Sequence, residues 1–138
     1  MELSDVVRSA LTAGNLAHLV TLEPDGSPQV SLVWAGLDDG AIVAAHLGIW
    51  RKVANMQRNP RVVLSMETGG RSANGLAEYL VVHGTARITE GGAPELSRHL
   101  AQVYLGPDVK WPPMDNPPPG CVTRILPQRI GGLGPWRV

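Results

Sequence analysis

The chain has 138 residues and no formal net charge, with a pI near 6.9. This length fits one domain over 1–138 that buries about two-thirds of its unfolded surface. Nucleic-acid binding usually needs a strongly basic face, and no apolar run approaches the roughly 20 residues of a membrane span. The sequence has one cysteine, Cys121, so it offers no intrachain disulfide. We therefore expect a cytoplasmic protein that binds neither nucleic acid nor membrane.

The first half of the chain is predicted to form a short helix followed by an antiparallel meander. Ser4 is a favourable N-cap and Gly14 a favourable stop for a helix over 4–13. Two Gly-containing turns, 24–27 and 38–40, then separate three apolar β segments. These predicted strands are 16–23, 29–36 and 41–47.

The second half alternates helices with strands and contains one proline-rich segment. Residues 50–58 are predicted to form a helix that ends before Pro60, because proline cannot continue it. Gly84 indicates a bulge or a close backbone approach inside a long strand. Residues 106–120 carry six of the twelve prolines and are predicted to be a loop. The other predicted elements are strands over 61–67, 77–89 and 121–126, a polar loop over 68–75, a helix over 94–105 and a tail from 127.

Two adjacent cations open the helix predicted over 50–58. Arg51 and Lys52 lie in its first turn, where positive charge opposes the helix dipole unless an anion binds there. The free N–H groups of this turn also favour a phosphate, and Asn55 follows on the same face. A solvated pair of surface charges is the commoner explanation of such residues. No Gly-rich P-loop or dinucleotide fingerprint precedes the helix, so neither of those nucleotide sites is indicated.

The order of these elements resembles the pyridoxamine-phosphate-oxidase-like flavin-binding superfamily. The similarity is carried by the opening hairpin 19–30, the pair Val33-Trp34, the cluster Arg51-Lys52-x-x-Asn55-Met56-x-x-Asn59-Pro60-Arg61 and the long strand 79–86. The closing segment 124–130 is also similar, so the resemblance spans most of residues 16–136. Within the superfamily the chain is most similar to a small actinobacterial branch that depends on the deazaflavin coenzyme F-420.

The resemblance implies a mainly β fold, a six-stranded antiparallel split β-barrel with short flanking helices. It also implies a homodimer with a cofactor in each of two grooves between the subunits. The family's phosphate contacts transfer to Lys52 and Asn55, with Arg51 beside them, and Trp50 stands where some relatives have another basic residue. The ring system is expected near Gln29, Ser31, Val33, Ala45 and His46. The partner subunit is expected to close the groove through Trp111 or Trp136.

The resulting hypothesis is an F-420-dependent oxidoreductase that transfers a hydride to a conjugated small molecule. The first alternative is an FMN-binding oxidase or reductase on the same fold, and the second is a non-catalytic carrier of a flavin or tetrapyrrole. No catalytic residue is identified, because the cofactor carries the difficult chemistry in such enzymes. The four histidines lie on different predicted elements without ligand spacing, so no metal site is expected.

Overall fold

The structure, a computed structural model, describes residues 1–137. Over this range the chain forms three helices and one antiparallel sheet of seven strands. The helices are α1 (Asp5–Thr12), α2 (Arg51–Arg58) and α3 (Ala93–Tyr104). The strands are β1 (Ala17–Leu22), β2 (Pro28–Val33), β3 (Gly36–Asp38), β4 (Ala41–His46), β5 (Arg61–Arg71), β6 (Ala77–Glu90) and β7 (Cys121–Leu133). Within the described range, no helix has the length and apolar character needed to cross a bilayer.

The strand order explains how the sheet curls. The order is β2-β1-β5-β6-β7-β4-β3, so β2 and β3 form the two edges. Only Trp34 and Ala35 separate these edge strands in sequence. The sheet must therefore bend round until its edges approach one another, although no hydrogen-bonded ladder joins them. The predicted mainly β, antiparallel split barrel with short helices is confirmed.

The predicted number of six strands is wrong by one. The segment predicted as a single strand over 29–36 divides into β2, which pairs with β1, and β3, which pairs with β4. At the division, the Ala35 N–H donates to the Tyr104 hydroxyl at 2.9 Å. That hydroxyl donates in turn to the Asn15 carbonyl at 2.8 Å. A side chain of α3 thus satisfies backbone groups that a neighbouring strand would otherwise pair.

The last strand is longer than predicted. The sequence predicts a strand over 121–126 and a tail from Pro127, a residue without a backbone N–H, whereas β7 continues to Leu133. The register of β6 against β7 shifts beside Gly84, where a bulge accommodates the missing donor. A Cβ on Gly84 would lie 2.6 Å from the Leu126 carbonyl oxygen, so the predicted close backbone approach is confirmed.

The core lies on the inner face of the curled sheet, where alternate strand residues are buried. Fully buried side chains come from α1, α2 and five strands: Leu11, Leu19, Ile42, Met56, Leu64, Leu80 and Ile125. α2 contributes Val53 and Met56 to the interior, which fixes the position of its N-terminus. β5 runs on to Arg71, so the predicted loop over 68–75 is partly strand.

Candidate functional site

A cavity of about 280 Å³ opens beside the N-terminus of α2. β2 and β4 form one side, and α3 and the proline-rich segment 106–120 form the other. The lining side chains include Leu32, Val33, Ala45, Trp50, Lys52 and Trp111. In the described part of the chain, Lys52 is the one ionisable side chain in this lining. The volume lies near the lower end of the roughly 300–1,000 Å³ that small-molecule sites span, so a longer ligand must extend beyond it.

The N-terminus of α2 carries positive charge that no acidic residue of its first turn neutralises. Trp50 occupies the N-cap position without a side-chain cap, and the first N–H groups of any helix lack intrahelical acceptors. Lys52 is half-buried, and burial lowers the pKa of its amine. Among residues 1–137, no carboxylate forms an ion pair with Lys52. A half-buried cation beside free N–H groups is an arrangement that attracts an anion.

The Arg51 side chain points away from the cavity. It is 75% exposed, and its guanidinium lies 3.6 Å from the Glu23 carboxylate. The Glu23 side chain is 18% exposed, but the Arg51 end is solvated and 3.6 Å is too long for a hydrogen bond, so the pair contributes at most about 1 kcal/mol and a stronger anion can displace Glu23 at small cost. The structure therefore separates the two adjacent cations: Lys52 faces the cavity, and Arg51 lies on the surface outside it.

Asn55 uses its polar atoms inside the protein. It is 2% exposed, its Nδ2 donates to Thr21 Oγ1 at 3.0 Å, and its Oδ1 accepts from Arg58 at 2.8 Å. The Thr21 hydroxyl donates onward to Gln29 Oε1 at 2.7 Å. This chain of hydrogen bonds joins α2 to β1 and β2. Asn55 and Gln29 therefore do not line the cavity, and their hydrogen bonds hold α2, the helix that carries Lys52, on β1 and β2.

His46 also does not line the cavity, although its neighbours Ala45 and Leu47 do. It is 1% exposed, and its Nε2 lies 2.7 Å from Thr123 Oγ1. Burial, and to a smaller extent the positive charge of Lys52, lower the pKa of its imidazole to about 4. The ring is therefore neutral at neutral pH and contacts the β7 hydroxyl.

Two further predicted residues carry a buried polar atom that has no hydrogen-bond partner in the described range. These atoms are Ser31 Oγ and Trp136 Nε1. Ser31 lies on the inner side of β2, and the Trp136 ring packs against the core. Neither residue lines the cavity, whereas Val33, Ala45 and Trp50 do.

Trp111 lines the cavity of its own chain, although the resemblance assigned it to the groove of a partner subunit. Its ring centroid lies 5.2 Å from that of Trp34 with a 55° tilt, and Trp34 stacks on Tyr104 at 5.5 Å and 13°. Sequence reasoning missed Ser97 and Leu100 as cavity residues. They belong to no motif, and only the packing of α3 brings them to this site.

Comparisons with known proteins agree with this architecture. The family model for pyridoxamine 5'-phosphate oxidase matches residues 3–132. A solved F-420 reductase has a TM-score of 0.71 and 24% identity, covering 94% of this chain and 98% of that one. A putative pyridoxamine 5'-phosphate oxidase from Listeria innocua has a TM-score of 0.66 and 18% identity, covering 94% and 96%. An FAD-binding protein from Mesorhizobium loti has a TM-score of 0.63 and 22% identity, covering 94% of each chain. No curated protein matches the chain.

Proposed function

Because the chain belongs to the pyridoxamine 5'-phosphate oxidase family, we propose that it is an oxidoreductase that binds the deazaflavin coenzyme F-420. The observation that carries this proposal is the half-buried Lys52. It lies between the free N–H groups of α2 and a cavity with aromatic walls, and it has no ion pair in the described range. A cofactor with a phosphate and a planar ring matches both parts of this site. The fold shared with an F-420 reductase supports a deazaflavin as that ring.

Each proposed contact follows from the position of its side chain. Lys52 and the first N–H groups of α2 hold the phosphate, and Arg51 reaches it by leaving Glu23. Val33 and Ala45 pack against the ring. When bound, the reduced cofactor supplies a hydride to an activated double bond of a conjugated small molecule. Lys52 binds the phosphate, so the proton for the reduced product comes from another source, either water or a different side chain.

Asn55 has a different part in the proposed site from the one the family pattern implies. Its amide is bonded to Thr21 and Arg58, so it acts on the phosphate through the position of α2. Gln29 and His46 act in the same indirect way, because Gln29 Oε1 accepts from Thr21 and His46 Nε2 lies within hydrogen-bond distance of Thr123 Oγ1. We assign these three as positioning residues.

Titration of the purified protein with F-420, followed by cofactor fluorescence, tests the proposal. We expect micromolar binding that Lys52→Ala weakens at least about tenfold, because a charge-assisted contact to a phosphate contributes about 1.5–3 kcal/mol. Lys52→Arg keeps the charge and is expected to retain most of the affinity. The matched control is Lys110→Ala, since Lys110 is exposed and lies 3.6 Å from Asp115. Equal affinity of the Lys52→Ala and Lys110→Ala variants would contradict the site.

FMN is the second candidate cofactor. Like F-420, it carries a phosphate on the side chain of a planar ring, and a protein of this fold from Mesorhizobium loti binds a related flavin, FAD. Flavin absorbance in freshly purified protein, together with tighter binding of FMN than of F-420, would favour this alternative. Turnover of a conjugated substrate by the cofactor-loaded protein separates either enzyme from a non-catalytic carrier of a flavin or tetrapyrrole.

We also propose that a second copy of the chain completes the site. Val30, Val20 and Val63 form a cross-strand row on the outer face of β2, β1 and β5. Val30 and Leu32 on this face are 56% and 55% exposed. Leu32 also lines the cavity, so a body that covers the face closes the cavity as well. Contiguous exposed apolar surface of this kind commonly marks an interface.

Light scattering at several concentrations tests the dimer. The wild-type chain is expected to have twice the monomer mass, and Val30→Asp is expected to shift it to monomer and to weaken cofactor binding. Val6→Asp is the matched control, because Val6 is 44% exposed on α1, away from this face. A wild-type monomer at every concentration would refute the proposed dimer.

A further inference from the structure

We propose that Trp34 and Trp111 form an aromatic wall for a planar conjugated ligand, and that Trp111 determines which ring systems the site accepts. The identity of the cofactor in this inference rests on the proposed function. The wall itself requires only a planar ligand, so it can be tested with molecules that carry no phosphate.

Trp34 is fixed before any ligand arrives. Its ring stacks on Tyr104 at 5.5 Å and 13°, which is close to parallel. The Tyr104 hydroxyl accepts from the Ala35 N–H and donates to the Asn15 carbonyl, so α3, the β2–β3 junction and the segment before β1 hold the stack together. A side chain held in this way loses little conformational freedom when a ligand binds.

Trp111 is attached to this stack from the proline-rich segment 106–120. Its ring tilts 55° against Trp34 at 5.2 Å, within the range of favourable aromatic pairs. The neighbouring Pro112 is buried, and the prolines of the segment limit its backbone freedom. Trp111 is only partly buried, so part of its indole stays open to the cavity that it lines.

The cavity lining combines charge with aromatic surface. Lys52 supplies the positive charge, and Trp34 and Trp111 supply aromatic surface in the same lining. The rest of the lining includes Leu32 and Leu100, which offer no charge. A phosphate takes up the one cation, so the part of the ligand that lies against Trp34 and Trp111 is expected to be uncharged, planar and conjugated.

Riboflavin and menadione are suitable probes, because both have planar conjugated rings and neither carries a phosphate. Calorimetric titration of the wild-type protein, in the oligomeric state that it has in solution, gives the reference dissociation constants for riboflavin and menadione. Trp111→Ala is expected to weaken riboflavin and menadione binding about tenfold, the upper range for an aromatic pair. Trp111→Phe keeps an aromatic face and is expected to stay within about threefold of wild type.

Two controls separate ring recognition from loss of structure. Trp111→Leu retains apolar bulk without a π system, so it is expected to match the wild-type melting temperature more closely than Trp111→Ala while still binding riboflavin weakly. Val109→Ala changes an exposed residue of the same segment that does not line the cavity, and it is expected to leave riboflavin binding unchanged. Wild-type affinity for riboflavin in the folded Trp111→Leu variant overturns the aromatic wall.

The same series distinguishes this inference from the proposed cofactor. Lys52→Ala is expected to weaken FMN and F-420 but not riboflavin, whereas Trp111→Ala weakens all three. If neither phosphate-bearing cofactor binds while riboflavin binding still depends on Trp111, the proposed function fails and the aromatic wall stands. If the phosphate-bearing cofactors bind and depend on Lys52 but not on Trp111, the proposed function stands and the wall fails.

Discussion

The buried His46 makes the stability of the fold depend on pH between neutral and mildly acidic conditions. Burial and the nearby charge of Lys52 lower the pKa of its imidazole from 6.5 to about 4. The unfolded chain exposes His46 and takes up a proton near pH 6.5, whereas the folded chain resists protonation until about pH 4. The folded state is therefore destabilised as pH falls through this window, because protons bind preferentially to the unfolded state.

The expected loss follows from the two pKa values. Between pH 7 and pH 5 it amounts to about 2 kcal/mol of unfolding free energy, and it levels off near about 3 kcal/mol below pH 4. No compensating gain arises at high pH, because the imidazole is neutral in both states above pH 7. Loss of about 2 kcal/mol is a large part of the roughly 5–15 kcal/mol that stabilises a typical domain.

Urea unfolding of the wild type and of His46→Gln at pH 7 and pH 5 isolates this contribution. Glutamine does not titrate and can still bond to Thr123, so the variant is expected to lose about 2 kcal/mol less than wild type between the two pH values. Carboxylates contribute equally to both proteins and cancel in the difference. An NMR titration gives a second readout: Lys52→Met is expected to raise the pKa of His46, since it removes the smaller of the two causes.

Equal pH dependence of the wild type and His46→Gln would refute this reasoning, because the imidazole would then titrate alike in both states. A folded-state pKa near 6.5 in the NMR titration would have the same meaning. Lower stability of His46→Gln at both pH values would not affect the conclusion, since only the difference between pH 7 and pH 5 reports the proton.

Three further changes probe the structure around the site. Asn55→Ala is expected to lower the free energy of unfolding by about 2–3 kcal/mol in urea. A double-mutant cycle with Thr21→Val should give a coupling energy of at least about 0.5 kcal/mol, and strictly additive losses would mean that Asn55 and Thr21 are not hydrogen-bonded. Gly84→Ala is expected to cost at least about 2 kcal/mol in the same assay, because its Cβ meets backbone, and an unchanged midpoint would contradict the close approach. Arg51→Ala is expected to change stability by less than about 0.5 kcal/mol yet weaken phosphate-bearing cofactors, and unaltered affinity would remove Arg51 from the site.

Features with local causes could be predicted from the sequence. Ser4 caps α1 as predicted, its Oγ accepting from the Val7 N–H at 3.4 Å, and Asn59 follows the end of α2 as expected. Lys52 could be singled out because the conflict between its charge and the helix dipole is visible in a few residues. Its half-burial in the cavity depends on how the sheet curls around α2.

The features that escaped prediction depend on contacts between distant segments. The division of the second predicted strand is stabilised by Tyr104 of α3. The sequence near Trp34 contains no turn signal that would predict this division. Asn55 fits the spacing of the phosphate pattern, but its amide nitrogen and oxygen are already hydrogen-bonded to Thr21 and Arg58. Periodicity shows which face of an element is buried, and it does not show which side chains from other elements occupy the same space.

The position of β4 in the sheet sets the order in which the site can assemble on the ribosome. β4 pairs with the three-residue β3 on one side and with β7 on the other, and Ala45 lies opposite Val122. The hydrogen bonds that hold α2 on β1 and β2 involve only residues up to Arg58. The nascent chain can therefore form the anchor of the proposed phosphate-binding end early, whereas the proposed ring-binding end, which includes Ala45 on β4, is complete only after β7 has paired with β4.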